Sequence, residues 1–503
     1  MHWKRANYIL HRWAGIVLGL IVLVWFVSGI AMMYYPYPEL TAREQLNAFP
    51  PLALDRAPPL IDFAAARLAL VNGVPGTRPP SSARLVRWDG RPVYQLYADH
   101  GSHHEGVGLV DAVDGTLLSP LSPELALRSA RAAGPFAGLS ARVELLPRGD
   151  HYFMGNEMKD AYPVYRVRFT DGQQTAIYVT SRTGQRVATI DWRGRLLTWI
   201  GSVPHWLYFQ GLYYDHFSAW LWISILVPGA SMALALTGVV LGLLQLFPRR
   251  RRREWRLSSY GGVSKWHHVA GVVFGVLVFT WTLSGMLEVL GPSPSPSGAV
   301  RARARGDSAA WREPTLNVQA AVARVAATTR GATLVAVDLT QSGGRAGYLA
   351  HLSSGGRVWV DAATGSLRRE IDSEAAIRVA REVASLAVDV AAAERRSEAD
   401  AFYYATHGRD LTLPAWRVRF RDAAHTSVYL DPVSGMPTAL IDDDVRRWRW
   451  WRDGLHDFDF PALVNQRPLW DAVVLPLMLG GVLSCVTGVW LLGRRLWRWR
   501  PGR

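Results

Sequence analysis

Four apolar runs constrain this chain more than any other feature. Ala14–Met33, Ala219–Phe247, Val269–Leu287 and Ala472–Leu492 contain no charged residue. A run of about 20 apolar residues crosses the hydrocarbon core of a bilayer as a helix. In lipid the backbone must satisfy its own hydrogen bonds, so such runs fold as helices. The long stretches between the first and second runs, and between the third and fourth, read as soluble sequence. The expected class is a membrane protein: a four-helix transmembrane bundle with two large domains outside the bilayer.

The net charge of +15 on 503 residues raises the question of a nucleic-acid partner. The placement of the charge argues against one. Lys4, Arg5 and Arg12 precede or open the first run. Arg249–Arg253, Arg256 and Lys265 lie between the second and third, with Glu254 as the one acid. Arg494, Arg495, Arg498, Arg500 and Arg503 follow the fourth. These three places must share one side of the membrane, and they hold nearly the whole excess. This is the positive-inside pattern. It predicts a multi-pass protein of a bacterial inner membrane, with both termini cytoplasmic and both long segments periplasmic. The first run ends in Met32-Met33-Tyr34-Tyr35 without a small-x-small site, so it reads as an uncleaved anchor. The single cysteine, Cys485, lies in the fourth run. It excludes a disulfide within the chain and any cluster held by several thiolates.

The chain repeats itself. His11-Arg12-Trp13-Ala14-Gly15 aligns with His267-His268-Val269-Ala270-Gly271. The match continues through Gly19 and Gly275, Trp25 and Trp281, and Ser28-Gly29 and Ser284-Gly285. Tyr165–Ala188 aligns with Trp416–Ala439, and Thr237-Gly238-Val239 with Thr487-Gly488-Val489. The two halves share a topology, so the repeat is parallel, with its pseudo-axis along the membrane normal. In each long segment, alternating strand patterns are separated by helical stretches, Pro123–Ala133 and Ser373–Leu386. Val164–Phe169 followed by Asp171-Gly172 and Thr175–Val179 reads as a hairpin. The expected class of both segments is α+β with antiparallel sheets. The resulting division is a tail and first helix (1–35), a first periplasmic domain (36–195), and an interfacial segment with the second helix (196–248). A basic loop (249–265), the third helix (266–290), a second periplasmic domain (291–446) and an interfacial segment with the fourth helix and basic tail (447–503) follow.

Several motifs carry a family resemblance. The unit Tyr178-Val179-x-x-x-Thr183-Gly184 resembles PepSY domains. His11-Arg12-Trp13-x-Gly15, His267-His268-x-Ala270-Gly271, the segment Pro204–Phe209, and Gly454-Leu455-His456-x-Phe458-Asp459-Phe460 resemble the PepSY-associated transmembrane family. Relatives in that family include di-haem reductases of ferric siderophores, so the resemblance implies electron transfer. It implies two haem b groups and, as acceptor, a ferric siderophore or other ferric chelate in iron uptake.

The histidines are the residues such chemistry needs. A histidine in a bilayer is costly and calls for a partner. His11 and His267 hold equivalent positions at the cytoplasmic ends of helices one and three. Glycines follow each at +4 and +8 (Gly15 and Gly19, Gly271 and Gly275), on the same helix face. A flat macrocycle ligated by the histidine would fit against that strip. The plain alternative is a helix-packing G-x-x-x-G motif with a snorkelling histidine. His268, beside His267, is a second candidate ligand or a support for it. On the opposite side, His205 and His456 lie in aromatic segments just before helices two and four, with His216 as an alternative. A second haem there, or an aromatic belt with incidental histidines, accounts for them.

The loop Asp99–Glu105, with His100, His103 and His104, reads as a solvated loop or a chelate-recruiting one. Arg166, Arg168, Arg417 and Arg419 read as solvated strand faces. No dinucleotide fingerprint, P-loop or G-x-S-x-G motif is present, so electrons are expected from a membrane quinol or a cytoplasmic donor. Two rival functions remain. One is a non-enzymatic PepSY protein that binds or inhibits a periplasmic peptidase or other partner. The other is a transporter component.

Overall fold

The computed structural model describes residues 2–498 except 36, 39, 55–56, 101–102, 155–158, 247–257, 291–299, 301–303, 305–313, 330–331, 406–410 and 465. Arg249–Arg253 and Arg256 therefore lie outside the described residues. So do Arg500 and Arg503, the Pro-Ser stretch at 291–298, and the side chains of His100, His103 and His104.

The spanning helices are His2–Tyr34, Phe217–Leu246, Gly262–Glu288 and Leu469–Arg498. Each begins before its apolar run. The extensions carry residues such as Trp3, Lys4 and Arg5, whose long or amphipathic side chains belong at the membrane border. The first span packs against the second and fourth, and so does the third, so the first and third stand diagonally opposite. Phe26 of the first span meets Trp281 of the third edge to face, with centroids 5.4 Å apart. Val22, Val278, Val474 and Met478 pack around them. Gly481 leaves room for the Phe26 ring and Gly480 for that of Phe274; a Cβ at either would collide with the ring. The bundle is thereby closed across its diagonal by an aromatic layer.

The first inter-span segment holds strands β1 (Ser82–Trp88), β2 (Arg91–His100), β3 (His103–Asp111), β4 (Ala141–Leu146), β5 (Val164–Phe169), β6 (Ala176–Thr180) and β7 (Arg186–Ile190). The second holds β8 (Leu334–Ser342), β9 (Arg345–Leu352), β10 (Arg357–Asp361), β11 (Leu367–Arg368), β12 (Val390–Arg396), β13 (Ala415–Phe420), β14 (Ser427–Leu430) and β15 (Pro437–Ile441). The expected hairpin is β5–β6, with Arg166 opposite Tyr178, and it recurs as β13–β14. The expected helices are present as Pro123–Arg131, capped by Ser122, and Ser373–Ala384, capped by Asp372. Two four-stranded antiparallel sheets, β4-β5-β6-β7 and β12-β13-β14-β15, correspond between the halves.

The remaining strands join the two segments. They form one seven-stranded sheet in the order β11-β10-β9-β8-β1-β2-β3, sewn together by the antiparallel pair β1–β8. Leu85 and Val86 point to opposite faces of β1 and both are fully buried. A strand covered on both faces gains from hydrogen-bonded neighbours on both edges, and β8 supplies the second. One core runs through both segments, with Leu85, Tyr94 and Leu96 packed together with Val337, Leu339 and Tyr348.

Two of the strand arginines differ from the solvated faces expected of them. Arg166 is largely buried and binds Asp150 (2.5 Å) and Glu144 (2.7 Å), while the Tyr178 hydroxyl donates to Asp150. Arg417, Asp400, Glu394 and Tyr429 repeat the arrangement. The alternation that marks a strand does not reveal which of its polar residues face a buried acid. Arg168 and Arg419 do point to solvent.

Candidate functional site

His11 and His267 face each other across the bundle diagonal, with ring centroids 6.3 Å apart. Each is held through Nδ1. His11 Nδ1 lies 3.1 Å from the Leu234 carbonyl and 3.2 Å from Thr237 Oγ1. His267 Nδ1 lies 3.1 Å from the Ser484 carbonyl and 3.3 Å from Thr487 Oγ1. Both threonine hydroxyls donate to carbonyls of their own helix. They therefore offer the histidines only a lone pair, so Nδ1 is the protonated nitrogen and Nε2 carries the free pair.

The same logic holds on the other side of the membrane region. His205 and His456 have centroids 6.1 Å apart. Their Nδ1 atoms lie 3.0 Å from Ser28 Oγ and 3.0 Å from Ser284 Oγ. Ser28 donates to the Trp25 carbonyl and Ser284 to that of Thr280. With those bonds made, Nδ1 is the donor at this level too, and the four imidazoles share one tautomer. His11 and Ser28 are 17 positions apart on the first span, which sets the two levels about 25 Å apart along the helix axis.

Two imidazoles bound through Nε2 to opposite sides of one metal, at about 2 Å each, put their centroids roughly 6 Å apart. Both pairs have that spacing. Among the described residues no cluster of three or more His, Cys, Asp or Glu side chains is positioned around a metal. Two facing imidazoles supply two ligands, so each pair could hold a metal that brings its remaining ligands with it, as a macrocycle does. An Nδ1–H held by an acceptor is also the usual support of a metal-bound imidazole.

Glycines make room for the rings. A Cβ at Gly238 would come 2.7 Å from His11 Cε1, and one at Gly488 would come 3.1 Å from His267 Cε1. At Gly29 and Gly285 a Cβ would meet His205 and His456 only in ordinary contact, at 3.5 and 3.4 Å, while at Gly29 it would come 2.9 Å from Met478. The glycine strip read from the sequence behaves differently. A Cβ at Gly15, Gly19 or Gly271 would find only ordinary contact, at 3.8, 3.7 and 4.0 Å, whereas at Gly275 it would come 2.7 Å from Val239. Helix packing thus requires glycine at Gly275 and does not require it at the other three.

His268 is buried and turned away from the pair. Its Nδ1 meets Ser258 Oγ and its Nε2 the Gly242 carbonyl, both at 3.0 Å, so neither nitrogen is free. His216 is exposed at the entry to the second span, where its carbonyl accepts from Trp220. Beside His456, burial and the neighbouring Asp457 and Asp453 push the Asp459 carboxyl up to about 8. The first half carries Tyr208 at the aligned position. Ser28, Ser284, Thr237, Thr487, Gly238 and Gly488 enter the sequence analysis as repeat matches and not as site residues. Their signal was present, because all six lie in the aligned stretches of the repeat.

Four spanning helices with β-rich domains between them define a multi-pass membrane protein. The chain belongs to the family described as the PepSY-associated TM region, which matches residues 8–364. The matched stretch includes His11, His205 and His267 and ends before the fourth span and His456. No curated protein matches the chain.

Proposed function

We propose that the chain is a haem-b oxidoreductase of a bacterial inner membrane that passes electrons from a membrane quinol or cytoplasmic donor to a periplasmic ferric chelate, such as a ferric siderophore. The observation that carries this reading is the doubled histidine pair, with ring centroids 6.3 and 6.1 Å apart and each Nδ1 occupied by a neighbouring oxygen. His11 and His267 would hold one haem and His205 and His456 the other. The bound group supplies reversible one-electron exchange at iron. The chain's own residues do the rest. Thr237, Thr487, Ser28 and Ser284 fix the ligating tautomer. The layer at Phe26 and Trp281 keeps water and ions from following the charge between the two levels. The positive charge of the basic loop and tail supports cytoplasmic termini and a periplasmic shared sheet.

The test is a reduced-minus-oxidised spectrum of detergent-purified protein, with haem quantified per chain. The reading expects b-type bands at two haems per chain. His11→Ala with His267→Ala should remove one haem, and His205→Ala with His456→Ala the other. A colourless protein from haem-sufficient cells would overturn the reading and leave the inter-span domains as a partner-binding module. Loss of haem without loss of ferric-chelate reduction would overturn the electron route.

A further inference from the structure

The geometry points to a binding cleft for a small polycarboxylate in the first inter-span segment, and we propose it as a ligand site separate from the histidine pairs. The cleft has a volume of about 460 Å³ and lies between the loop at 74–78, strand β3 and the turn after β6. That size suits a small molecule.

Its mouth is charged. Arg78 and Arg182 both bind Glu105, Arg78 at 3.7 Å and Arg182 in closer contact. The two arginine side chains are 46% and 37% exposed, within reach of a ligand. Two guanidiniums sharing one carboxylate leave one positive charge uncompensated among the described residues that line the cleft. A second carboxylate would balance it, and the fork of a guanidinium matches that group.

The wall is polar in one place. Ser181 lines the cleft and is 2% exposed, and its Oγ has no hydrogen-bond partner among the described residues. Its backbone is already engaged, the N–H with the Pro163 carbonyl and the carbonyl with Leu121 N–H. A buried hydroxyl in this state costs stability unless something bonds it. A ligand carboxylate or hydroxyl placed between Ser181 and the arginines would do so.

The fold does not require this chemistry. The positions aligned with Arg78, Glu105, Ser181 and Arg182 in the second half are Ala332, Gly355, Pro432 and Val433, on the same strand framework. The proposal is independent of whether the histidine pairs carry haem.

Citrate is the probe, titrated calorimetrically into the full chain in detergent. The expected result is saturable binding at one site per chain. Arg78→Gln with Arg182→Gln should weaken it at least tenfold, and Ser181→Val several-fold. Glu105→Gln, which frees both guanidiniums, should tighten it. Absence of saturable binding to the unaltered protein would overturn the proposal. So would equal affinity in the double arginine variant with an unchanged melting temperature.

Discussion

Arg84 and Asp338 occupy the same place in the two halves of the chain, 254 residues apart, and face each other across the strand pair that joins those halves. The antiparallel register maps onto itself when the halves are exchanged, so this pair lies on the pseudo-twofold axis. A residue on such an axis meets its own counterpart. Two arginines or two aspartates would repel there. This chain has one of each, with Arg84 Nε 2.5 Å from Asp338 and His351 Nε2 2.8 Å away.

Asp338→Asn should therefore destabilise the seam by roughly 3 kcal/mol, because the largely buried Arg84 loses its counter-charge. Burial alone would push the Asp338 carboxyl up, but Arg84 and His351 hold it well below the ordinary carboxylate range. For a depressed carboxyl, the stabilisation is present above the unfolded pKa of about 4 and is lost as pH falls toward the folded value. Thermal melts at pH 7 and pH 3 should show the gap between the original protein and D338N shrinking at the lower pH. An equal gap at both would contradict this account.

Gly238→Ala should displace the His11 ring, since the new methyl would sit 2.7 Å from Cε1. Gly488→Ala, at 3.1 Å from His267, should act in the same direction and less strongly. Gly15→Ala, with 3.8 Å to its nearest neighbour, is the packing control. Haem per chain should fall most in G238A, and its loss in one level only is read from potentiometric titration. Undiminished haem in G238A would remove His11 from the ligand set.

Ser28→Ala with Ser284→Ala should weaken metal retention at the His205–His456 level by about 10–100-fold, the usual effect of deleting the partner of a ligating imidazole. Thr237→Val with Thr487→Val should cost less at the other level, because the Leu234 and Ser484 carbonyls still accept from Nδ1. Haem release to an apo-globin acceptor, followed in time for both double variants, gives the comparison. The reverse order would show that the hydroxyls do not set the tautomer.

His268→Ala should lower thermal stability by about 1–3 kcal/mol, since Ser258 Oγ and the Gly242 carbonyl lose their partner. It should leave the haem count unchanged. A spectrum short of one haem in H268A would return that residue to the ligand set.

The spans and the four histidines were legible because their signals are local or repeated. An apolar run needs no partner to be recognised, and a histidine that recurs at the head of an aligned helix stands out from its neighbours. The bond partners Thr237 and Ser28 were visible only as aligned letters, since nothing in a serine or threonine says which ring it will meet. The shared sheet was harder still. Alternation in Ser82–Trp88 identifies a strand, but its neighbour β8 lies half a chain away, and period-two patterning carries no address. The cover on both faces of Leu85 and Val86 was the one trace of it, and that trace needs burial to be read.

The seam between β1 and β8 has a mechanical consequence. A carrier that worked by rocking one half of its bundle against the other would strain four facing residue pairs and the Arg84–Asp338 bond in every cycle. The seam stitches the two inter-span segments together, so such a motion would have to break it or bend the chain between the seam and the spans. A cargo that needs no opening to move through would put no such load on the seam.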